Sequence, residues 1–296
     1  MLQKEIKPPF TVQQLKTLLS KGAFTLYFQP IISIATNNIV GAEALARLNV
    51  GDKVYSPYFF INTIKLGGKF LEQFESTLFK KFLSACNVFQ EHDICCPISY
   101  NISAKHLNRP GCALALVNEY YKYTNKLAII IEITEQEGID TSFSARDNIQ
   151  MLSDNFELYI DDFGTGYSNL SYVLDYPFKG LKIDKSLIDN LATDLKPKLL
   201  LRGLIPTLET LNVCTVAEGI ETIEQFKTIE ELGFAKGQGY LWSVPLTLEQ
   251  FITAYQLHSL DIIAVSKILS KMTDEQLDDI HKLVELAPIL NRSVKF

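Results

Sequence analysis

Histidine is scarce in this chain: His92, His106, His258 and His281 are all there is among 296 residues, and none stands where a strand is expected to end. That argues against a zinc enzyme, which draws on imidazole or on paired thiolates. Cysteine offers no substitute. Cys86, Cys95, Cys96, Cys112 and Cys214 are odd in number and lack the spacing of a zinc site or a disulfide framework, so reduced thiols in a cytoplasmic protein are expected. Also missing is any run near the roughly 20 apolar residues of a membrane span. Residues 1–10 carry charges and prolines where a signal peptide needs an apolar core. A basic excess is lacking too: the net charge is −6, which leaves no footprint for duplex nucleic acid or an anionic membrane. Any anionic ligand must be met by local cations. What remains is ordinary globular usage, 47% hydrophobic and 21% charged, with neither internal repeat nor low-complexity linker.

Taken in order, the pattern predicts a short amphipathic helix over 10–22, then strands at 24–32 and 39–47 joined by the turn at Thr36, Asn37 and Asn38. So short a connection makes them an antiparallel hairpin. Leu71, Phe74, Leu78 and Phe82 fall on one stripe of a helix over 69–92. Strands follow at 97–103, 127–134, 157–162, 180–184, 213–219 and 239–242. Helices are expected between them at about 104–122, 143–153, 185–194, 197–211 and 221–232. Repeated βα units of this kind build a parallel sheet, and about eight strands in this length favour a closed barrel.

The stretch from Leu158 to Leu170, LYIDDFGTGYSNL, is the centre of the reading. Successive side chains on a strand point to opposite faces, so Asp161 and Asp162 converge only if the chain turns, and Gly164 and Gly166 would allow that turn. The same parity sets Ile98, Tyr100 and Ile102 against Asn101, and Ile129, Ile131 and Ile133 against Glu132. It opposes Leu158 and Ile160 to Asp161, Leu181 and Ile183 to Lys182, and Val213, Thr215 and Ala217 to Glu218. Glu43, Leu45 and Arg47 share one face of the second strand. Six strands thus aim Glu43, Asn101, Glu132, Asp161, Lys182 and Glu218 at one mouth. With Asp162, five carboxylates would repel and raise one another's pKa values. Two divalent cations and Lys182 would neutralise them, and all-oxygen ligation suits Mg²⁺ or Mn²⁺.

The run GAEALAR at 41–47 resembles the signature of the EAL-domain family, bacterial phosphodiesterases specific for cyclic di-GMP. Further blocks match in order: FQPI (28–31), YNIS (100–103), IEITE (131–135), IDDFGTGYSNL (160–170), LKID (181–184), VAEGIE (216–221) and GQGYL (237–241). One short motif is weak evidence; eight in order are not. The resemblance implies a (β/α)8 TIM-like barrel with an antiparallel first strand, and a two-metal hydrolysis of cyclic di-GMP to linear pGpG. It implies that Glu43, Asn101, Glu132 and Asp161 hold one ion, that Asp161 and Asp162 serve the second, and that Glu218 completes the site. A hydroxide between the ions would attack phosphorus. Lys182 resembles the general base, Gln238 would position water or phosphate, and Glu135 matches a residue that holds the loop after Asp162. Gln29, Leu45, Arg47, Gln238, Asp184 and Glu221 are implied as substrate-lining. Leu48 replaces an aromatic residue often seen after Arg47.

Blander readings stand beside these. Asp161 and Asp162 alone could form a capped turn, Lys182 alone a solvated charge, and Glu221 a first-turn helix residue. The alternative function is a catalytically weak cyclic di-GMP receptor or a protein-binding regulatory module. An aldolase using Lys182 as a Schiff base leaves the carboxylates unexplained. The division expected is a barrel domain over 1–258 and a helical C-terminal extension over 259–296. The extension carries apolar stripes at Ile262, Ile263, Val265, Ile268 and Leu269, then Leu277, Ile280, Leu283, Val284 and Ala287. A homodimer and a regulatory protein partner are the expected associations.

Overall fold

A hairpin starts the barrel. In the computed structural model, which describes residues 10–123, 127–134, 143–165, 170–191 and 194–257, helix α1 (Val12–Ser20) leads into strands β1 (Phe24–Ser33) and β2 (Ile39–Val50). These pair antiparallel, with Gln29 opposite Glu43 and Thr25 opposite Arg47. Strand β3 (Lys53–Tyr55) folds back on β2 as a short appendage. Helices α2 (Ile61–Lys65) and α3 (Lys69–Glu91) bring the chain to β4 (Ile98–Ser103). From there helices alternate with parallel strands: α4 (Ala104–Leu107) and α5 (Cys112–Tyr120), β5 (Ile129–Thr134), α6 (Phe143–Ser153), β6 (Glu157–Phe163), α7 (Ser171–Asp175), β7 (Gly180–Ile183), α8 (Lys185–Ile188) and α9 (Leu195–Thr210), β8 (Cys214–Ala217), α10 (Ile223–Glu231), β9 (Lys236–Gly237) and α11 (Leu248–Gln256).

Pairing runs β1-β9-β8-β7-β6-β5-β4-β2 and returns to β1, which closes an eight-stranded barrel. Only β1 runs against its neighbours, β2 and β9. The (β/α)8 barrel with an antiparallel first strand is therefore the fold. Closure is sealed from outside by α11: Phe28 and Leu246 exchange backbone hydrogen bonds at 2.7 and 2.9 Å, and Phe251 packs on Phe89 at 5.3 Å, which packs on Phe28 at 4.8 Å. Three helices start with the same device. Thr11, Thr222 and Thr247 each cap the amide of a glutamine three residues on, and that glutamine returns a bond to the cap backbone.

The parity of the strands sorts the core. Ile98, Ile102, Ile129, Ile131, Ile133, Leu158, Ile160, Leu181 and Ile183 lie in the large cluster between strands and helices. Ile31, Ile130, Tyr159 and Val216 form a separate small cluster that floors the barrel interior. Gly180 makes room for that floor, because a Cβ there would lie 2.3–2.5 Å from the Tyr159 ring.

Several boundaries differ from the sequence reading. The last strand is Lys236–Gly237, not 239–242; Gly239 instead begins a turn whose carbonyl accepts from Trp242 N and Ser243 N. A Cβ on Gly239 would meet the Ile220 carbonyl at 2.1 Å, so this turn presses on backbone and pairs with no strand. The helix expected over 104–122 is two, split around Pro110 and a left-handed Gly111. The one expected over 185–194 ends at Ile188. The strand expected over 213–219 is confined to Cys214–Ala217. The extension from residue 259 lies outside the described residues.

Candidate active site

Two residues on from the barrel floor along the strands, parity places a polar layer. Lys182 on β7 stands at its centre, 1% exposed. Its Nζ lies 2.7 Å from Glu218 Oε1, 2.9 Å from Glu132 Oε2, 3.1 Å from Glu43 Oε2 and 3.2 Å from Asp161 Oδ1. Asn101 on β4 donates from Nδ2 to Glu43 Oε1 at 2.6 Å. Gln238, just past β9, donates to Glu43 Oε2 at 2.8 Å and to Gln29 Oε1 at 3.1 Å. Gln29 in turn donates to the Ser243 carbonyl at 3.1 Å. All six residues that the alternation aimed at one mouth meet there.

Asp162 joins them by a different route from the one expected. It adopts φ +59° itself, and the β6–β7 pairing slips between Ile160 and Phe163. The strand thus carries a bulge and runs on to Phe163, which re-aims one side chain without ending the strand. Asp is one of the few non-glycine types that takes a left-handed backbone cheaply. Gly164 also has positive φ, but the reversal of Asp162 precedes it. Gly166 lies outside the described residues.

Five carboxylates against one buried ammonium leave the charge unbalanced. Burial alone would lower the Lys182 pKa, yet Asp161, Glu132, Glu218 and Glu43 outweigh it and hold the ammonium well above its usual range. Burial is also the main reason that Glu132 is pushed up to about 8 and Asp162 to about 7, with neighbouring carboxylates adding to both. Asp161 and Glu218 are raised for the same reasons. Glu43 goes the other way. Burial would raise it, but Lys182, Gln238 and Asn101 all donate to it and together lower it.

The oxygens suit divalent cations. Among the described residues, one oxygen each from Glu43, Glu132 and Asp161 gather within 4.8 Å, and so do oxygens from Asp161, Asp162 and Glu218. Asp161 belongs to both groups. Asn101 Oδ1 is buried beside the first group with no hydrogen-bond partner, a costly orphan unless a cation takes it. No histidine enters either group, and oxygen-only ligation at this charge is what hard cations prefer.

Two cavities flank the cluster. One, of about 410 Å³, is lined by Gln29, Glu43, Leu45, Glu218, Glu221, Gln238 and, unforeseen from sequence, Lys185 and Tyr240. The other, of about 440 Å³, is mostly apolar and runs from Asn101 and Asp162 past Leu45 to Ile61, Leu71 and Phe74. Leu45 borders both. Glu221 is paired with Lys185 across the first cavity. Arg47 donates from Nη1 to the Ala46 carbonyl at 2.8 Å and sits over the Tyr27 ring at 5.6 Å. Asp184 caps α8, accepting from Ser186 N at 2.8 Å. Glu135 lies outside the described residues. A lysine directly after Asp184 at a strand's carboxyl end was the available signal for Lys185; Tyr240 had none beyond its place after Gln238.

Comparison with known proteins gives one consistent answer. The family model of the EAL domain matches residues 12–245. The chain is 33% identical over 249 residues to the probable cyclic di-GMP phosphodiesterase PdeB of Escherichia coli, covering 83% of this chain and 47% of that protein. It is 27% identical over 242 residues to the cyclic di-GMP phosphodiesterase RocR of Pseudomonas aeruginosa, covering 79% and 60%. Among solved structures, PaMucR phosphodiesterase in complex with c-di-GMP superposes with a TM-score of 0.73 at 26% identity, over 81% of this chain and 98% of that one. The chain thus spans about half the length of these two curated relatives and 30% of another, the signaling protein YkoW of Bacillus subtilis.

Proposed function

This chain belongs to the EAL domain family, and on that premise we propose that it hydrolyses cyclic di-GMP to linear pGpG with two divalent cations, Mg²⁺ or Mn²⁺. The observation that carries the reading is Asp161, shared by two oxygen groups at the foot of two cavities of similar size. A cyclic dinucleotide has two nucleotide lobes around a phosphodiester ring. The arrangement offers each lobe a cavity and the bond between them the charged centre.

Glu43, Asn101, Glu132 and Asp161 would hold one cation, Asp161, Asp162 and Glu218 the other. Such a pair, when bound, neutralises phosphate charge and makes water nucleophilic near neutral pH. The remaining work falls to the chain. Gln238, which donates to Gln29 and Glu43, would orient the water or a phosphate oxygen. Water oxygen would bond to phosphorus as the bond to the 3′ oxygen breaks, the water's proton would pass to neutral Lys182, and the departing 3′ oxygen would take a proton from solvent to become the free hydroxyl of pGpG. Lys182 qualifies because only its carboxylate neighbours hold its pKa high; once cations neutralise them, burial lowers it. Arg47, Leu45, Asp184 and Glu221 would line the substrate, and Glu135 would hold the loop after Asp162.

We place the protein in the cytoplasm, where its five cysteines, none of them in a disulfide, stay reduced. Among the described residues no helix is long and apolar enough to cross a membrane. The barrel domain would end at 258 and the extension over 259–296 would brace a homodimer or cap the barrel, with a regulatory partner as a further associate. Exposed leucines on the helices after β6 and β7, Leu174, Leu195, Leu199 and Leu200, favour a second copy on that side. Removing residues after 258 and measuring mass in solution decides the extension's part.

The activity is tested by product analysis of cyclic di-GMP incubated with Mg²⁺ or Mn²⁺. Linear pGpG should appear, chelator should stop it, and Ca²⁺ should suppress it because it takes more ligands at longer bonds. Tight binding without product would make the protein a receptor instead.

A further inference from the structure

The carboxyl end of β4 is supported unequally. Towards β5 the ladder continues to Ser103 opposite Thr134, but towards β2 it stops at Tyr100 opposite Ala44. Asn101 lies one residue beyond that stop, beside the apolar cavity. The carboxylates around it are held by charge, to Lys182 or to a cation. Asn101 is neutral, and the bond from Nδ2 to Glu43 fixes only one edge of its amide. Where its unpartnered Oδ1 points therefore depends on how firmly the backbone of residues 100–103 is held.

That backbone is held from α3. Glu75 Oε1 accepts from Ser103 Oγ at 3.2 Å, and Glu75 Oε2 lies 2.7 Å from Arg109 Nη2 and 2.5 Å from His106 Nδ1. The main-chain carbonyl of Glu75 accepts from the Tyr100 hydroxyl at 3.3 Å. Ser103 in turn caps α4, accepting from His106 N at 3.2 Å. Arg109 reaches a second carboxylate, Glu72 Oε1, at 2.8 Å. On the far side, buried Asn148 of α6 donates to the Leu107 and Arg109 carbonyls at 2.7 and 2.8 Å. Residues 100, 103, 106 and 109 thus all end on one residue of α3.

We propose that Glu75 is a positioning residue of the metal site: through Ser103, His106 and Arg109 it sets the β4–α4 junction so that the Asn101 carbonyl oxygen meets a divalent cation. The proposal rests on Asn101 being a ligand, and it assigns Glu75 no contact with metal or substrate. Groups that orient metal ligands from outside typically change affinity by about 10–100-fold when removed. Acting through a neutral ligand, Glu75 falls at the lower end.

The test is Mn²⁺ binding to the full chain without substrate, followed by the electron paramagnetic resonance of free Mn²⁺. Glu75→Gln, Arg109→Met, the double variant and Asn101→Ala are compared, with circular dichroism to establish folding. Glu75→Gln should weaken Mn²⁺ binding about tenfold, Arg109→Met less, and the double variant no more than Glu75→Gln, since both cut one chain of contacts. At saturating metal the KM for cyclic di-GMP should stay within about twofold, because the network acts on the ligand and not on the substrate. Unchanged Mn²⁺ affinity in folded Glu75→Gln overturns the proposal, whether melting falls or not. So does a raised KM at intact metal affinity, which would make Glu75 a substrate contact in the cavity it borders. Wild-type Mn²⁺ binding by Asn101→Ala would instead remove the ligand assignment beneath it, a failure visible without any Glu75 variant.

Discussion

Lys182→Met removes the cation at the centre of the polar layer and replaces it with a side chain of similar length. Four carboxylate oxygens at 2.7–3.2 Å lose their counter-charge in a site where the lysine is 1% exposed. Breaking a buried ion pair by deleting one partner costs about 3–5 kcal/mol, because the surviving charge stays desolvated. Several carboxylates survive here, but they escape part of the cost by taking up protons, so that range stands as the expectation for metal-free protein near neutral pH. For a domain of this size the loss corresponds to a fall in Tm on the order of 10 °C. Calorimetry in chelator measures it. A repeat in millimolar Mg²⁺ or Mn²⁺ should recover much of the deficit, since cations binding only the folded state replace the missing charge. A variant as stable as wild type in chelator would refute the view of Lys182 as the counter-ion. A deficit untouched by added cations would refute the view that metals enter the same carboxylates.

The pH dependence of metal-free stability should be inverted relative to a chain with ordinary carboxylates. Glu132 and Asp162 are pushed up to about 8 and about 7 from 4.5 and 3.8, so the folded state penalises their charged forms. Stability in chelator should rise as pH falls through about 8 and 7 towards the ordinary carboxylate range, where the unfolded chain protonates as well; a thermal-shift series that declines steadily over that window contradicts the charge imbalance. Asp161→Asn keeps the shape but removes the charge common to both oxygen groups, and calorimetric titration should show Mn²⁺ affinity falling at both sites together; loss of one site alone would mean that Asp161 is not shared. Gly180→Ala should cost about 1–3 kcal/mol by forcing a Cβ into the Tyr159 ring, with most of it regained in a Gly180→Ala, Tyr159→Leu double variant. An additive pair in denaturant melts would show that the floor of the barrel yields elsewhere.

The sequence by itself determined the strand faces. Alternation is a local property of extended backbone, so the opposition of Ile129, Ile131 and Ile133 to Glu132, or of Leu158 and Ile160 to Asp161, holds whatever surrounds the strand. From that followed the polar layer; the antiparallel hairpin followed from the short turn at Thr36, Asn37 and Asn38, and the family from ordered motifs. Tertiary structure decided what depends on partners distant in the chain. The β9 strand is Lys236–Gly237 because β8 and β1 present edges there, and no local signal places those edges. The left-handed Asp162 follows from the slip between β6 and β7, a register between two chain segments that a glycine pattern does not report. Lys182 reads in isolation as a solvated charge; closure of eight strands is what removes its water and supplies four carboxylates in exchange. Glu75 stands on α3 beside its apolar stripe, and nothing local in the helix marks it. Its three partners come from the junction after β4, and only the packing of α3 against that junction brings them to a single carboxylate.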